Sequence, residues 1–210
     1  LVITKPTVLE NKVYNCGPEM VGKTMIEIPS SPTNRRLEDV HLNRVTLNCN
    51  GIAGAGLAAI DLWGSSFTNV QVIAPTVTAY YLAGETFAMQ YCDFLRCSAW
   101  CIWNTGALLL DGTGPGVGNN ANVCFGTFKS CYFHTEGGTS LEIRDCDTCT
   151  FENCGFETVT GFAVRCYERG SNAWENNDPG PGRMYFAHPE RENFVSWGKC
   201  NGAPNFVSQD

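Results

Sequence analysis

The chain reads as all-β, and within that class as a parallel β-solenoid with about 22–25 residues per coil and irregular caps at both ends. Three observations lead there. Charged residues are only 17% of the chain, there are 22 glycines, and no window carries a sustained helical stripe. A six-residue motif (apolar, two residues, Val or Cys, one residue, apolar) returns as LNRVTL, FTNVQV, MQYCDF, FKSCYF and FENCGF. Its Val/Cys positions, Val45, Val70, Cys92, Cys131 and Cys154, are separated by steps of 25, 22, 39 and 23 residues.

The long step contains the turn-rich insertion DGTGPGVGNNAN, residues 111–122. That step reads as one coil of about 23 residues plus about 16 inserted residues. Arg44, Asn69, Tyr91, Ser130 and Asn153 precede the Val/Cys positions. Asn and Ser there suit a tight bend, because Asn tolerates the left-handed region. Each motif therefore reads as a strand end, a bend and a new strand.

A second strand follows. Eight and ten residues after the Val/Cys position come Thr78 and Tyr80, Trp100 and Ile102, Thr139 and Leu141, and Phe162 and Val164. These alternate positions form a buried face. Ile60 and Leu62 continue the pattern in the first coil with a shift. The coils thus span residues 40–168. Residues 1–39 lack the motif and read as an N-terminal cap or a first irregular coil. Residues 169–210 hold Phe186, Phe194, Trp197 and Phe206 without coil periodicity, which suits a C-terminal cap or subunit interface. The chain opens on LVITKPTVLE without Met, which fits either a processing site at residue 1 or a natural start further upstream.

The twelve cysteines divide by position. Cys92, Cys131 and Cys154 share a column with Val45 and Val70, and a site that takes Val or Cys is small, apolar and buried. Free stacked thiols are expected there. Many unpaired thiols suit folding in a reducing cytosol. CDTC (146–149) lacks a second half-site of the right spacing, so no metal is expected. GAGLAAIDL has no following P-loop lysine, and no cofactor is expected.

Outward positions carry any function. Nine residues after the column stand Ala79, Cys101, Ser140 and Ala163, all small. Eleven after it stand Tyr81, Trp103, Glu142 and Arg165. A small row beside an aromatic and charged row makes a trough suited to sugars, which stack on rings and bond to carboxylate and guanidinium groups. Glycoside hydrolysis would need two carboxyl groups about 5–10 Å apart. The candidates are Glu142 and Asp145, with Glu157 one coil along; Asp93 and Glu136 are further options. The three histidines are scattered, and no nucleophile–base pair stands out. A net charge of −7 with dispersed Lys and Arg argues against a nucleic-acid partner. No apolar run approaches the roughly 20 residues of a membrane-spanning helix.

Coils reading TFENCGFETVTGFAV and VTLNCNGIAGAGLAAIDL resemble the right-handed parallel β-helix of the pectate-lyase-like superfamily. The form is that of bacteriophage tailspikes and tail-fibre receptor-binding proteins. The resemblance implies a homotrimer on a virion, in contact with other virion proteins and assembled in the bacterial cytoplasm. It implies binding of host surface polysaccharide, with cleavage in many members. No catalytic motif of the family's lyases or polygalacturonases is present, so no catalytic residue is carried over. A stand-alone polysaccharide lyase or hydrolase, and a capsid or tail decoration protein without glycan activity, are the rival expectations.

Overall fold

The computed structural model describes residues 1–30, 36–103, 105–112, 123–144, 149–160, 162–167, 185–187 and 207–209. The protein is all-β. Among the described residues there is no α-helix, only a 3-10 turn at Pro18–Met20. The strands form three separate sheets of eleven, six and four strands. Every pairing between strands is parallel.

The chain visits the sheets in a fixed order. Leu62–Trp63 enters the four-stranded sheet, Ser66–Ile73 the eleven-stranded one and Thr78–Ala83 the six-stranded one. The next repeat does the same with Met89–Gln90, then Asp93–Leu95 and Ser98–Cys101, then Gly106–Asp111. Each repeat lies beside the one before it: Phe67 pairs with Phe94, Phe94 with Phe128, and Phe128 with Phe151.

The bend before each column position is present. Arg44, Asn69, Ser130 and Asn153 have φ between 52° and 54°. This turns each contribution to the eleven-stranded sheet into two short legs and curls the sheet. The column itself needs one correction. Ser98 pairs with Gln71 and with Tyr132, so Cys97, not Cys92, follows Val70 and precedes Cys131 and Cys154. The residue before it, Arg96, has φ 52°. Cys92 belongs to the preceding corner, where Gly64, Tyr91 and Phe125 take positive φ. MQYCDF and FLRCSA overlap at Phe94, and the motif alone does not separate them.

The core is a set of stacked ladders. Phe67, Phe94, Phe128 and Phe151 stack at 4.6, 4.6 and 4.7 Å between centroids, and all are buried. Each such contact contributes about 0.5–1.5 kcal/mol beyond its buried area. The thiols run beside them. Cys97, Cys131 and Cys154 donate to the carbonyls of Phe67, Phe94 and Phe128 at 3.2, 3.3 and 3.3 Å. Cys16, Cys49, Cys92, Cys97, Cys101, Cys131 and Cys154 are free thiols, and all are buried.

The N-terminal 39 residues contribute strands to the same sheets. Thr7–Asn15 pairs with Val40–Asn48, and Thr24–Ile28 with Ala55–Ile60. In this rung Lys12 stands opposite Val45, where the described rungs that follow have Val70, Cys97, Cys131 and Cys154. Of the insertion, residues 113–122 lie outside the described residues. The C-terminal region contributes Tyr185–Ala187 and Val207–Gln209 as further parallel strands; its remaining aromatics, Phe194, Trp197 and Phe206, lie outside the described residues.

Candidate functional site

The outward face of the six-stranded sheet carries an open cavity of about 750 Å³. One wall is a row of register neighbours on adjacent strands: Ala58, Tyr81, Leu109, Glu142 and Arg165. Neighbouring strands lie about 4.8 Å apart, so the row advances one residue per strand. The floor is Ala55, Thr78, Gly106 and Thr139, the neighbours of a second outward row. Tyr81, Glu142 and Arg165 therefore share the trough in which the sequence groups them.

Trp103 does not join them. Leu109 occupies its place, because the repeat of Cys97 has one more residue before its strand in the six-stranded sheet than the repeats of Val70 and Cys131. Trp103 lies on the turn after Ser98–Cys101, with φ 60° and 57% exposure, its ring over Gly51. The expected small row is also corrected. Ala79 and Ser140 are fully buried, and Cys101 is in a strand of the other sheet. Ala79 and Tyr80, Ala107 and Leu108, and Ser140 and Leu141 are consecutive buried pairs, so strict alternation fails there. The Tyr80 hydroxyl explains part of this: it donates to the carbonyls of Val70 and Ser98 at 2.7 and 3.0 Å inside the core. Ala163 has no described side chain.

Arg144 organises the charges of the trough. Its Nε donates to Glu142 Oε1 at 2.6 Å, and its Nη1 lies 3.4 Å from Asp111 Oδ2. Both carboxylates are mostly shielded, and one guanidinium spans them. Burial pushes the Tyr81 phenol above its ordinary range, Asp111 and Glu85 add to this, and Arg144 opposes it. Tyr81 thus stays a protonated donor at neutral pH.

A second cluster lies on the outer side of the eleven-stranded sheet. Trp100, His134 and Glu157 are register neighbours three residues after Cys97, Cys131 and Cys154. The Trp100 and His134 rings stack at 4.2 Å. The Tyr132 hydroxyl donates to Glu157 Oε2, and His134 Nδ1 lies 3.5 Å from the same oxygen. A Cβ on Gly155 would fall 2.8 Å from the Tyr132 ring, so the missing side chain lets Tyr132 lean toward Glu157.

The carboxylate candidates therefore separate. Glu142 projects from the six-stranded sheet and Glu157 from the eleven-stranded one, so they do not form one pair across a bond. Asp145 lies outside the described residues. The sequence missed Leu109, Arg144 and the His134 cluster. Counting three residues from the corrected column would have found the last. Among the described residues no three His, Cys, Asp or Glu side chains gather as metal ligands, and no helix is long and apolar enough to cross a membrane. Compared with protein-family models, curated proteins and solved structures, the chain matches none. The fold and site define an all-β chain of three parallel sheets with an aromatic and charged trough on one face.

Proposed function

We propose that the three sheets are the faces of one right-handed parallel β-helix, and that the chain binds host surface polysaccharide as a tailspike or tail-fibre protein of a bacteriophage. The cyclic order of the sheets supports the coil, since every return to a sheet is parallel to the last. Parallel connections within a sheet are right-handed in about 98% of cases. The buried free thiols fit assembly in the reducing bacterial cytoplasm before incorporation into a virion. On this reading the working unit is a homotrimer in contact with other virion proteins.

The observation that carries the binding reading is the row Tyr81, Leu109, Glu142 and Arg165 along an open 750 Å³ trough. An open groove crossing successive strands accepts an extended polymer, where a closed pocket would take a small molecule. The test is affinity electrophoresis of the full chain through gels holding a panel of bacterial capsular and O-antigen polysaccharides. At least one should retard the protein, and Tyr81→Ala should weaken retention about five- to tenfold. Unchanged retention in that variant removes the trough as the site. No retention by any member supports a structural tail or capsid part.

One observation favours a second reading, a polysaccharide depolymerase. Glu157, 46% exposed at its side chain, is held by Tyr132 beside His134 and Trp100. Release of reducing ends that is lost in Glu157→Gln would establish it. Binding without any release leaves recognition as the function.

A further inference from the structure

Resting on the reading of the trough as a polysaccharide site, we infer that it takes a run of about five consecutive sugars laid across the strands, rather than a single sugar or a disaccharide. The length follows from the sheet. Thr24, Ala55, Tyr81, Leu109, Glu142 and Arg165 all line the trough, and each comes from a different strand of the six-stranded sheet. Every strand of that sheet therefore reaches the cavity. The five gaps between six strands, at ~4.8 Å each, make it about 24 Å long. An extended chain of pyranose rings advances by roughly the same distance per sugar, so each gap matches about one sugar.

The volume agrees with the length. A single sugar would leave most of the 750 Å³ empty, whereas several in a row would occupy it. Two glycines keep the trough open at its far end. A Cβ on Gly54 would fall 2.7 Å from the Gly22 carbonyl oxygen, so backbone packs on backbone there with no side chain between. Gly22 and Gly54 both line the cavity, which runs past Ala55 as far as Thr24.

The chemistry changes along this length. From Tyr81 to Arg165 the row offers a ring, an aliphatic side chain, a carboxylate and a guanidinium. From Thr24 to Ala58 the trough offers small side chains and glycine backbone. The first stretch fixes which sugars bind, because ring stacking and charge-assisted hydrogen bonds are directional. The second stretch makes van der Waals contact with whichever sugars follow and adds affinity with little selectivity. The site thus reads a short part of the polymer and holds the sugars next to it.

The experiment takes the panel polysaccharide that most retards the chain in affinity gels. Partial acid hydrolysis cuts it into fragments from the disaccharide upward, and gel filtration sizes them. Calorimetric titration of the full chain should show affinity rising at least about threefold per added sugar up to about five sugars, then levelling. Thr24→Tyr puts a ring at the far end of the trough. That variant should bind the shortest fragments as wild type does, which also shows that it folds, and its affinity should level about one sugar earlier. Wild-type affinity that levels at a di- or trisaccharide confines recognition to the stretch from Tyr81 to Arg165; it overturns the inference and leaves polysaccharide recognition standing. Gain that continues well past the expected length, or a Thr24→Tyr variant with the wild-type length curve, overturns the inference in the same way. A panel with no retarded member overturns both the inference and the reading beneath it.

Discussion

His134 Nδ1 lies 3.5 Å from Glu157 Oε2, is buried, and has no hydrogen-bond partner. Trp100 covers one face of the ring, and Tyr132 already donates to the carboxylate that His134 faces. The imidazole is therefore a neutral ring shielded from water in a column of outward residues. Burial lowers its titration below the ordinary His value, and the carboxylate of Glu136 only partly offsets this.

The sign of the pH effect follows. The unfolded chain takes up a proton on His134 near the ordinary value of about 6.5, while the folded chain resists it until lower pH. Stability at this residue is unaffected above that range and is lost as pH falls through it. Thermal melts at pH 7.5 and 5 should show a larger drop in Tm for wild type than for His134→Gln. Equal drops would mean that the ring protonates in the fold as easily as in water.

The thiol ladder predicts a different behaviour. Burial pushes Cys92 and Cys101 up to about 12, so neither is a thiolate at neutral pH. The described free cysteines should react with Ellman's reagent at most slowly in the native protein, and at once in denaturant without reductant. Few thiols in denaturant would mean disulfides and would remove the argument for a reducing compartment. Cys131→Val should cost under about 1.5 kcal/mol in urea unfolding, because Val45 and Val70 fill the same column. Phe128→Ala, which breaks the aromatic stack on both sides, should cost about 3–5 kcal/mol.

These ladders also explain what the sequence could show. Val45, Val70, Cys131 and Cys154 are legible because this buried column takes small apolar residues in successive repeats, which leaves a repeated mark. Cys92 misleads because two corners of the repeat, one before Phe94 and one after it, both bear a buried cysteine behind a residue of positive φ. Tyr81, Glu142 and Arg165 are legible because their repeats keep one spacing from the column. Trp103 is lost to a single extra residue, since a slip of one moves a side chain off its row. The Arg144 bridge is not legible at all: it joins Asp111 and Glu142 across two strands, and only the pairing brings them together.

Asp61 is a buried carboxylate with a structural task. Its Oδ2 accepts the Ser30 hydroxyl at 2.6 Å, and its Oδ1 accepts the backbone N–H of Glu85 at 2.7 Å. Thr86 N–H adds a third donor at 3.1 Å. It thereby fastens the turn that follows Thr78–Ala83 to the repeat below. Asp61→Ala leaves those donors unmatched and should cost about 2–4 kcal/mol in chemical denaturation. Asp61→Asn keeps the shape and one acceptor and should cost less. If the two variants lose equal stability, the charge matters and the hydrogen-bond geometry does not.

Lys12 stands where the Val and Cys column reaches the edge of the described sheet. Its rung is the edge of the eleven-stranded sheet, with one side paired to Val40–Asn48 and the other without a strand among the described residues. An open edge invites another chain to pair, and a charge at an inward position is a recognised way to prevent it. Leu9 and Tyr14 still pack on the core from this rung, and Lys12 interrupts the Val and Cys column. Lys12→Val restores the column and removes the charge. Sedimentation velocity should then show concentration-dependent association beyond the wild-type state, while Lys12→Glu should leave that state unchanged. Association in both variants, or in neither, would mean that something other than the charge at this position guards the edge.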